Sequence, residues 1–191
     1  MDYTGLTVTG VESEFPAMAR DAQSVFGSLN EQQLNWRRDG SRWSVAQCLD
    51  HLLNVNREMF RAIDTAMDPS QPRTLWQRLP VMPGFFGPLM IKSQAPQATR
   101  KFKAPAAGVP SSSEIDARII ERFVAHQHAS AAHVRAFAAR DVAGVVMVSP
   151  FASFVTYSVL DGCRLIVTHQ RRHFEQARRV TAEPGFPAAH V

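Results

Sequence analysis

Apolar residues recur at spacings of three and four in four separate stretches of this chain, and nowhere does a convincing alternation of period two appear. That pattern restricts the fold to packed helices. The first stretch runs from about Glu12 to Ser28, with Phe15, Met18, Ala19, Ala22, Val25 and Phe26 on one side. Pro16 falls in its first turn, where a missing N–H costs nothing. The second opens at Ser44, whose hydroxyl can cap the backbone N–H of Gln47 while the Gln47 side chain reaches back. Trp43 and Cys48 are placed around this cap as a hydrophobic staple, and Val45, Leu49, Leu52, Val55, Met59 and Ile63 carry the inward stripe towards Met67. The third runs from about Ser113 to Ala139 through Ile115, Ile119, Phe123, Val124, Val134 and Phe137. The fourth starts near Ser158, with Asp161 completing a cap signature, and reaches about Val180. The chain is therefore predicted to be an all-α, up-and-down four-helix bundle.

The second and third helices are separated by far more chain than a bundle turn needs. Residues 68–110 hold eight of the twelve prolines, including Pro80, Pro83, Pro88, Pro96, Pro105 and Pro110, together with Gly84, Gly87 and Gly108. No regular helix is expected across them. Trp76, Phe85, Phe86, Leu89, Met90 and Ile91 argue against a free linker, so the segment reads as a packed excursion covering a site, with a short helix around Leu75 to Leu79. A length of 191 residues, 45% of them hydrophobic, is enough for one domain spanning 1–191 without disulfide staples, with residues 183–191 as a loose C-terminal tail.

Composition narrows the function. Cys48 and Cys163 are too far apart in the chain for a thiol-based zinc ribbon or a disulfide framework, which suits a reducing compartment. The first 30 residues carry Asp2, Glu12, Glu14, Arg20 and Asp21 and no apolar run of a secretory signal, so cytoplasmic residence is expected. A net charge of +4 and a pI near 9.6 could suit an anionic partner. The basic residues are scattered, however, as Arg37-Arg38, Arg100-Lys101-Lys103, Arg171-Arg172 and Arg178-Arg179, without interleaved aromatics, and a nucleic-acid partner is not expected. Val142 to Leu160 is uncharged for the length of a membrane span, but Gly144, Pro150 and five hydroxyl side chains make it a buried turn feeding a helix.

The chemistry concentrates in THQRRHFEQARRV. His169 and His173 are four residues apart, so on a helix their imidazoles lie one above the other and can converge on one cation; taken alone, the pair is half a metal site or two surface histidines. Gln170, not Glu, follows His169, and the zincin pattern with its built-in general base is absent. His51 lies at the edge of the second helix's buried stripe, where a histidine commonly bonds a carbonyl or water. If the second and fourth helices face each other, three imidazoles meet. His126, His128 and His133 lie on the third helix, the first and last flanking its apolar stripe and His128 facing water. Cys48 is read as a packed core thiol, Glu58 and Tyr157 as the nearest guesses for a base, with solvated or structural roles as the plainer reading.

The chain resembles the DinB-like (YfiT-like) superfamily of small four-helix metalloproteins, which includes bacillithiol- and mycothiol-dependent S-transferases and metal-dependent hydrolases. The resemblance rests on RWSVAQCLDHL (Arg42 to Leu52), KFKAPAAGVP (Lys101 to Pro110) and HQRRHFEQ (His169 to Gln176), and extends from about Phe15 to Val180. It implies that His51, His169 and His173 are the three metal ligands, that the ion is nickel or zinc, and that the chain forms a homodimer. Three ligands leave coordination positions open. The resemblance then favours a low-molecular-weight thiol attacking an electrophilic substrate, with Arg171 and Arg172 placed to attract an anionic thiol's carboxylates or standing as solvated charges. Metal-dependent hydrolysis at the same site and non-catalytic metal binding in a stress response are the alternatives.

Overall fold

The computed structural model describes residues 2–78, 81–98 and 108–188 of the chain. Among these, α1 (Val8–Phe26), α3 (Val45–Met67), α5 (Ile119–Phe137) and α6 (Val159–Thr181) are the four expected long helices, and they form the expected all-α bundle. α2 (Glu31–Asn35) and α4 (Val81–Ser93) are shorter, and β1 (Val146–Ser149) with β2 (Ala152–Ser158) makes one antiparallel hairpin.

Local signals set the helix limits where they are strong. Ser44 and Gln47 make the reciprocal capping box that starts α3, and Ser158 caps α6 by accepting from the Asp161 N–H. α1 starts earlier than expected because Thr7 accepts from the Gly10 N–H, and this puts Pro16 inside the helix, not in its first turn. α5 starts later. Asn35 bonds both the N–H and the carbonyl of Ile115, at 2.8 Å each, and these bonds hold the preceding segment out of the helix.

Side-chain pairs give the directions. Gln47 reaches the Ser112 carbonyl at one end of α3 and Asp64 meets His133 at the other, so α3 and α5 run parallel. Glu12 with Arg135 sets α1 antiparallel to α5, while Arg164 on the Leu6 carbonyl and Arg171 on Glu14 and Asp21 set α6 parallel to α1. α3 and α6 are antiparallel, Met59 lying by Tyr157 and His51 by His169. The order is up, down, down, up, because the long connection returns the chain along the bundle before α5 begins.

That connection is more regular than its prolines suggest. Trp76–Arg78 forms the short helical turn expected there, Leu79 lying outside the described residues, and Val81–Ser93 forms α4 in spite of Pro83 and Pro88. Pro83 sits in the first turn, where no N–H is required, and the residue four before Pro88 is Gly84, which offers the proline ring little to clash with. Gly87 lets α4 lie close to α6: a Cβ there would be 2.3 Å from an Asp161 carboxylate oxygen. The Lys101–Lys103 basic run and most of the segment leading to Gly108 lie outside the described residues.

The hairpin replaces the turn expected between residues 142 and 160. Its alternation is hidden because Val155, Thr156, Tyr157 and Ser158 are all buried, the second half of β2 being covered on both faces, while Ser153 and Phe154 before them are both exposed. No helix among the described residues is long and apolar enough to cross a membrane. The tail read as loose from residue 183 is tied down through Pro187: Arg42 pairs with Glu183 at 3.1 Å, Trp36 packs edge-on to Phe186, and Gln33 donates to the Pro187 carbonyl. Residues 189–191 lie outside the description.

Two apolar clusters fill the bundle. One joins Phe15, Met59, Ile63, Val134 and Ile166 to the hairpin; the other joins Phe26, Leu34, Leu49, Leu52, Phe123 and Phe174. Leu49 and Leu52 are fully buried, each contributing roughly 1.5–3 kcal/mol. On α6 the first cluster ends at Val167 and the second begins at Phe174, which leaves His169, Gln170 and His173 at the boundary.

Candidate metal centre

α3 supplies one imidazole. Gln47, Asp50 and His51 share one flank of its first two turns and grip the chain that returns from the long connection: Gln47 donates to the Ser112 carbonyl at 3.2 Å, Asp50 accepts from the Ser111 N–H at 2.7 Å, and His51 Nδ1 donates to the Gly108 carbonyl. This last bond sets the tautomer. With the proton on Nδ1, the Nε2 lone pair is turned inward. A side chain at position 108 would crowd this arrangement, a Cβ falling 3.0 Å from Val55 and 3.1 Å from the His51 ring.

α6 supplies the other two. His51 Nε2 and His169 Nε2 are 3.3 Å apart, the three ring centroids are separated by 5.0, 4.5 and 4.5 Å, and one ligand atom from each histidine lies within 4.8 Å of the others. His51 is 2% exposed, while His169 and His173 are half-buried. Nδ1 of His169 and of His173 is buried without a hydrogen-bond partner.

All three rings are held neutral. Burial lowers the pKa of His51 against the opposing effects of the Gly108 bond and Asp50. Burial also drives His169 well below its usual value, with His173, His51 and Arg172 adding to the effect. His173 is lowered to about 3 by burial first, then by His51 and Arg172, the Gln176 side chain opposing. Three uncharged nitrogen donors that converge, with unsatisfied buried nitrogens among them, fit a divalent ion of borderline softness.

Trp43, read from the sequence as a staple beside Cys48, has a further contact that sequence reasoning missed. Half-buried beside the second apolar cluster, it stacks over two of the imidazoles, 4.8 Å from the His51 ring and 5.8 Å from that of His173. Its position next to the Ser44 cap is visible in sequence; its contact with α6 is not. Arg171 turns away to Glu14 and Asp21 on α1, at 2.8 and 2.6 Å. Arg172 stays by the cluster, donating to the Ser93 carbonyl at the end of α4.

The remaining candidates lie elsewhere. Glu58 pairs with Arg61 at 2.9 Å, and Tyr157 is sealed in the core with its hydroxyl on Met59 and its phenol pushed up to about 12 by burial. Burial pushes the Cys48 thiol to about 12 as well, keeping it protonated. His128 is exposed, as expected, and His133 pairs with Asp64 at 2.7 Å. A cavity of about 250 Å³ beside His126 and His133, and one of about 720 Å³ between the end of α3 and the hairpin, are not lined by the three clustered histidines.

His126 has a consequence for stability. Burial, with the Arg57 charge adding to it, lowers its pKa from 6.5 to about 4, and its Nε2 has no partner. The unfolded chain takes a proton near 6.5 and the folded chain only near 4, so stability is lost as pH falls through that window. The metal-free protein is expected to show a melting temperature that drops between pH 6.5 and about 4. His126→Gln should make this slope shallower, the lowered His51, His169 and His173 supplying the rest; an unchanged slope would rule out a contribution from His126.

A family model described as the DinB superfamily matches residues 14–177. No curated protein and no solved structure matches the chain.

Proposed function

The chain belongs to the DinB superfamily, and from that membership and its three-histidine cluster we propose that it binds a divalent cation, nickel or zinc, and transfers a low-molecular-weight thiol to an electrophilic substrate. His51, through Nε2, with His169 and His173 would hold the ion, and the Gly108 carbonyl keeps His51 in the tautomer this requires. When bound, the ion supplies Lewis acidity that lowers the pKa of a thiol and stabilises its thiolate. The electrostatics of the cluster support an anionic group on the ion: the fixed charges acting on His169 and His173 are cationic, Arg172 on both and Arg179 on the second, with Asp50 acting on His51. A thiolate and a hydroxide are both favoured there over a neutral ligand, and the likeness to the family's S-transferases selects the thiol.

In the reaction the thiol gives up its S–H proton to solvent, sulfur forms the new bond to the electrophilic carbon, and the leaving group departs with the bonding electron pair. No side chain is assigned as base. Free, buried Cys48 and Cys163 agree with work in a reducing compartment such as the cytoplasm.

A panel separates the readings. Metal-loaded protein is mixed with monobromobimane and cysteine, glutathione, bacillithiol or mycothiol in turn, and separately with activated esters and no thiol. Saturable conjugation that needs one thiol and disappears in His51→Ala is the expected result. Ester cleavage without any thiol would replace this reading with the hydrolase.

A further inference from the structure

Of the three clustered imidazoles, His51 has its orientation set by a hydrogen bond to a backbone carbonyl, whereas Nδ1 of His173 is buried and unpartnered. Beyond the Gln176 side chain, which reaches the His173 ring, that ring is steadied by packing. The indole of Trp43 lies against it, inclined by 31° at 5.8 Å, and the same indole lies against His51, inclined by 48° at 4.8 Å. One aromatic plate thus touches rings from both α3 and α6.

Trp43 is also held in place from both sides along the chain. Ser44, which follows it, is fully buried and locked in the capping box with Gln47 at 3.1 Å in each direction. Arg42, which precedes it, pairs with Glu183 beyond the end of α6, and Trp36 packs on Phe186 in the same segment. The loop carrying the indole is therefore tied to the start of α3 and to the segment that follows α6. Little freedom remains to be lost when the rings are ordered.

We propose that Trp43 is a positioning residue of the three-histidine centre, its indole fixing the rings of His51 and His173 relative to one another. This rests on the metal-binding reading above. Offset and tilted aromatic contacts have preferred geometries, so a flat ring restrains the tilt of its neighbours in a way that an aliphatic filler of similar volume does not. Hydrogen-bonded partners one step out from the ligands are commonly worth about 10–100-fold in metal affinity, and a packed ring is expected at the lower end, roughly tenfold.

The test uses Co(II) as the probe in the full-length protein, with affinity from competition titration and geometry from the visible d–d bands. Trp43→Leu keeps an apolar side chain near the size of Phe but without a flat ring, and is expected to bind cobalt roughly tenfold or more weakly, with shifted bands. Trp43→Phe restores a ring and is expected to stay within about threefold of the parent, with the parent's bands. Trp43→Met replaces the leucine variant should that one not fold. A leucine or methionine variant with the parent's affinity and bands, or a phenylalanine variant as impaired as the aliphatic ones, overturns the inference while the metal centre stands. A parent protein that takes up no cobalt overturns the metal reading and this inference with it.

Discussion

Purified without an affinity tag or chelator, the protein is expected to carry about one divalent ion per chain, and His51→Ala or His173→Ala to lose more than about a hundredfold in affinity. The size of the effect follows from the donor set. Three neutral nitrogens with atoms within 4.8 Å of one another are the donor set among the described residues, and removing one leaves a two-donor site on one or two helices. The two substitutions also differ in kind: His51 anchors the returning chain at Gly108, while His173 lies under Trp43. Both variants should keep the helical circular-dichroism signal of the parent, since the bundle is filled by two apolar clusters that do not need the imidazoles. His126→Ala, on a different face of the bundle, is the control that should keep its metal. Equal retention of metal in folded His51→Ala and His173→Ala would end the case for this site, and elemental analysis gives that answer directly.

Removing the ion should cost stability on a scale easily seen by calorimetry. With free ion at about a thousand times its dissociation constant, binding to the folded state alone adds about 4 kcal/mol. For a chain of this length each kilocalorie moves the midpoint by about 2–4 °C, so chelation should lower the melting temperature by roughly 10 °C. The chain reports loading because buried, neutral, partly unpartnered imidazoles lose their partner and gain nothing in exchange. His51→Ala, which also loses the Gly108 bond, should start at or below the chelated parent's midpoint and show no further drop with chelator. A parent whose midpoint ignores both chelator and added zinc or nickel would contradict this.

Local chemistry was legible wherever it acts over a few residues. Ser44 with Gln47 and Ser158 with Asp161 mark the starts of α3 and α6, because a capping side chain bonds a backbone N–H three positions on and needs no tertiary partner. The same range explains His169 and His173: one helical turn stacks them whatever surrounds the helix. Thr7 was the overlooked local signal, and its cap moved Pro16 from the first turn into the interior of α1.

Other features had no local signature to find. β2 escaped because period two shows only when one face is wet, and here Val155 to Ser158 are covered on both faces while Ser153 and Phe154 are both exposed. α4 escaped because prolines and glycines speak against a helix on their own, whereas packing on β2 and α6 supplies the compensation.

By itself, then, the order of residues determined that four amphipathic helices form, where two of them begin, and that two imidazoles share a helix face, since all of these are settled within a turn or two of backbone. Tertiary structure alone decided that α3 runs antiparallel to α6, so that His51 meets a pair 118 residues away. It also decided that the Gly108 carbonyl picks the His51 tautomer and that Trp43 spans both helices. The physical reason is that these contacts exist only after apolar burial has set the helices side by side, and burial is non-directional: it selects which faces meet, and the polar groups carried on those faces are then brought together.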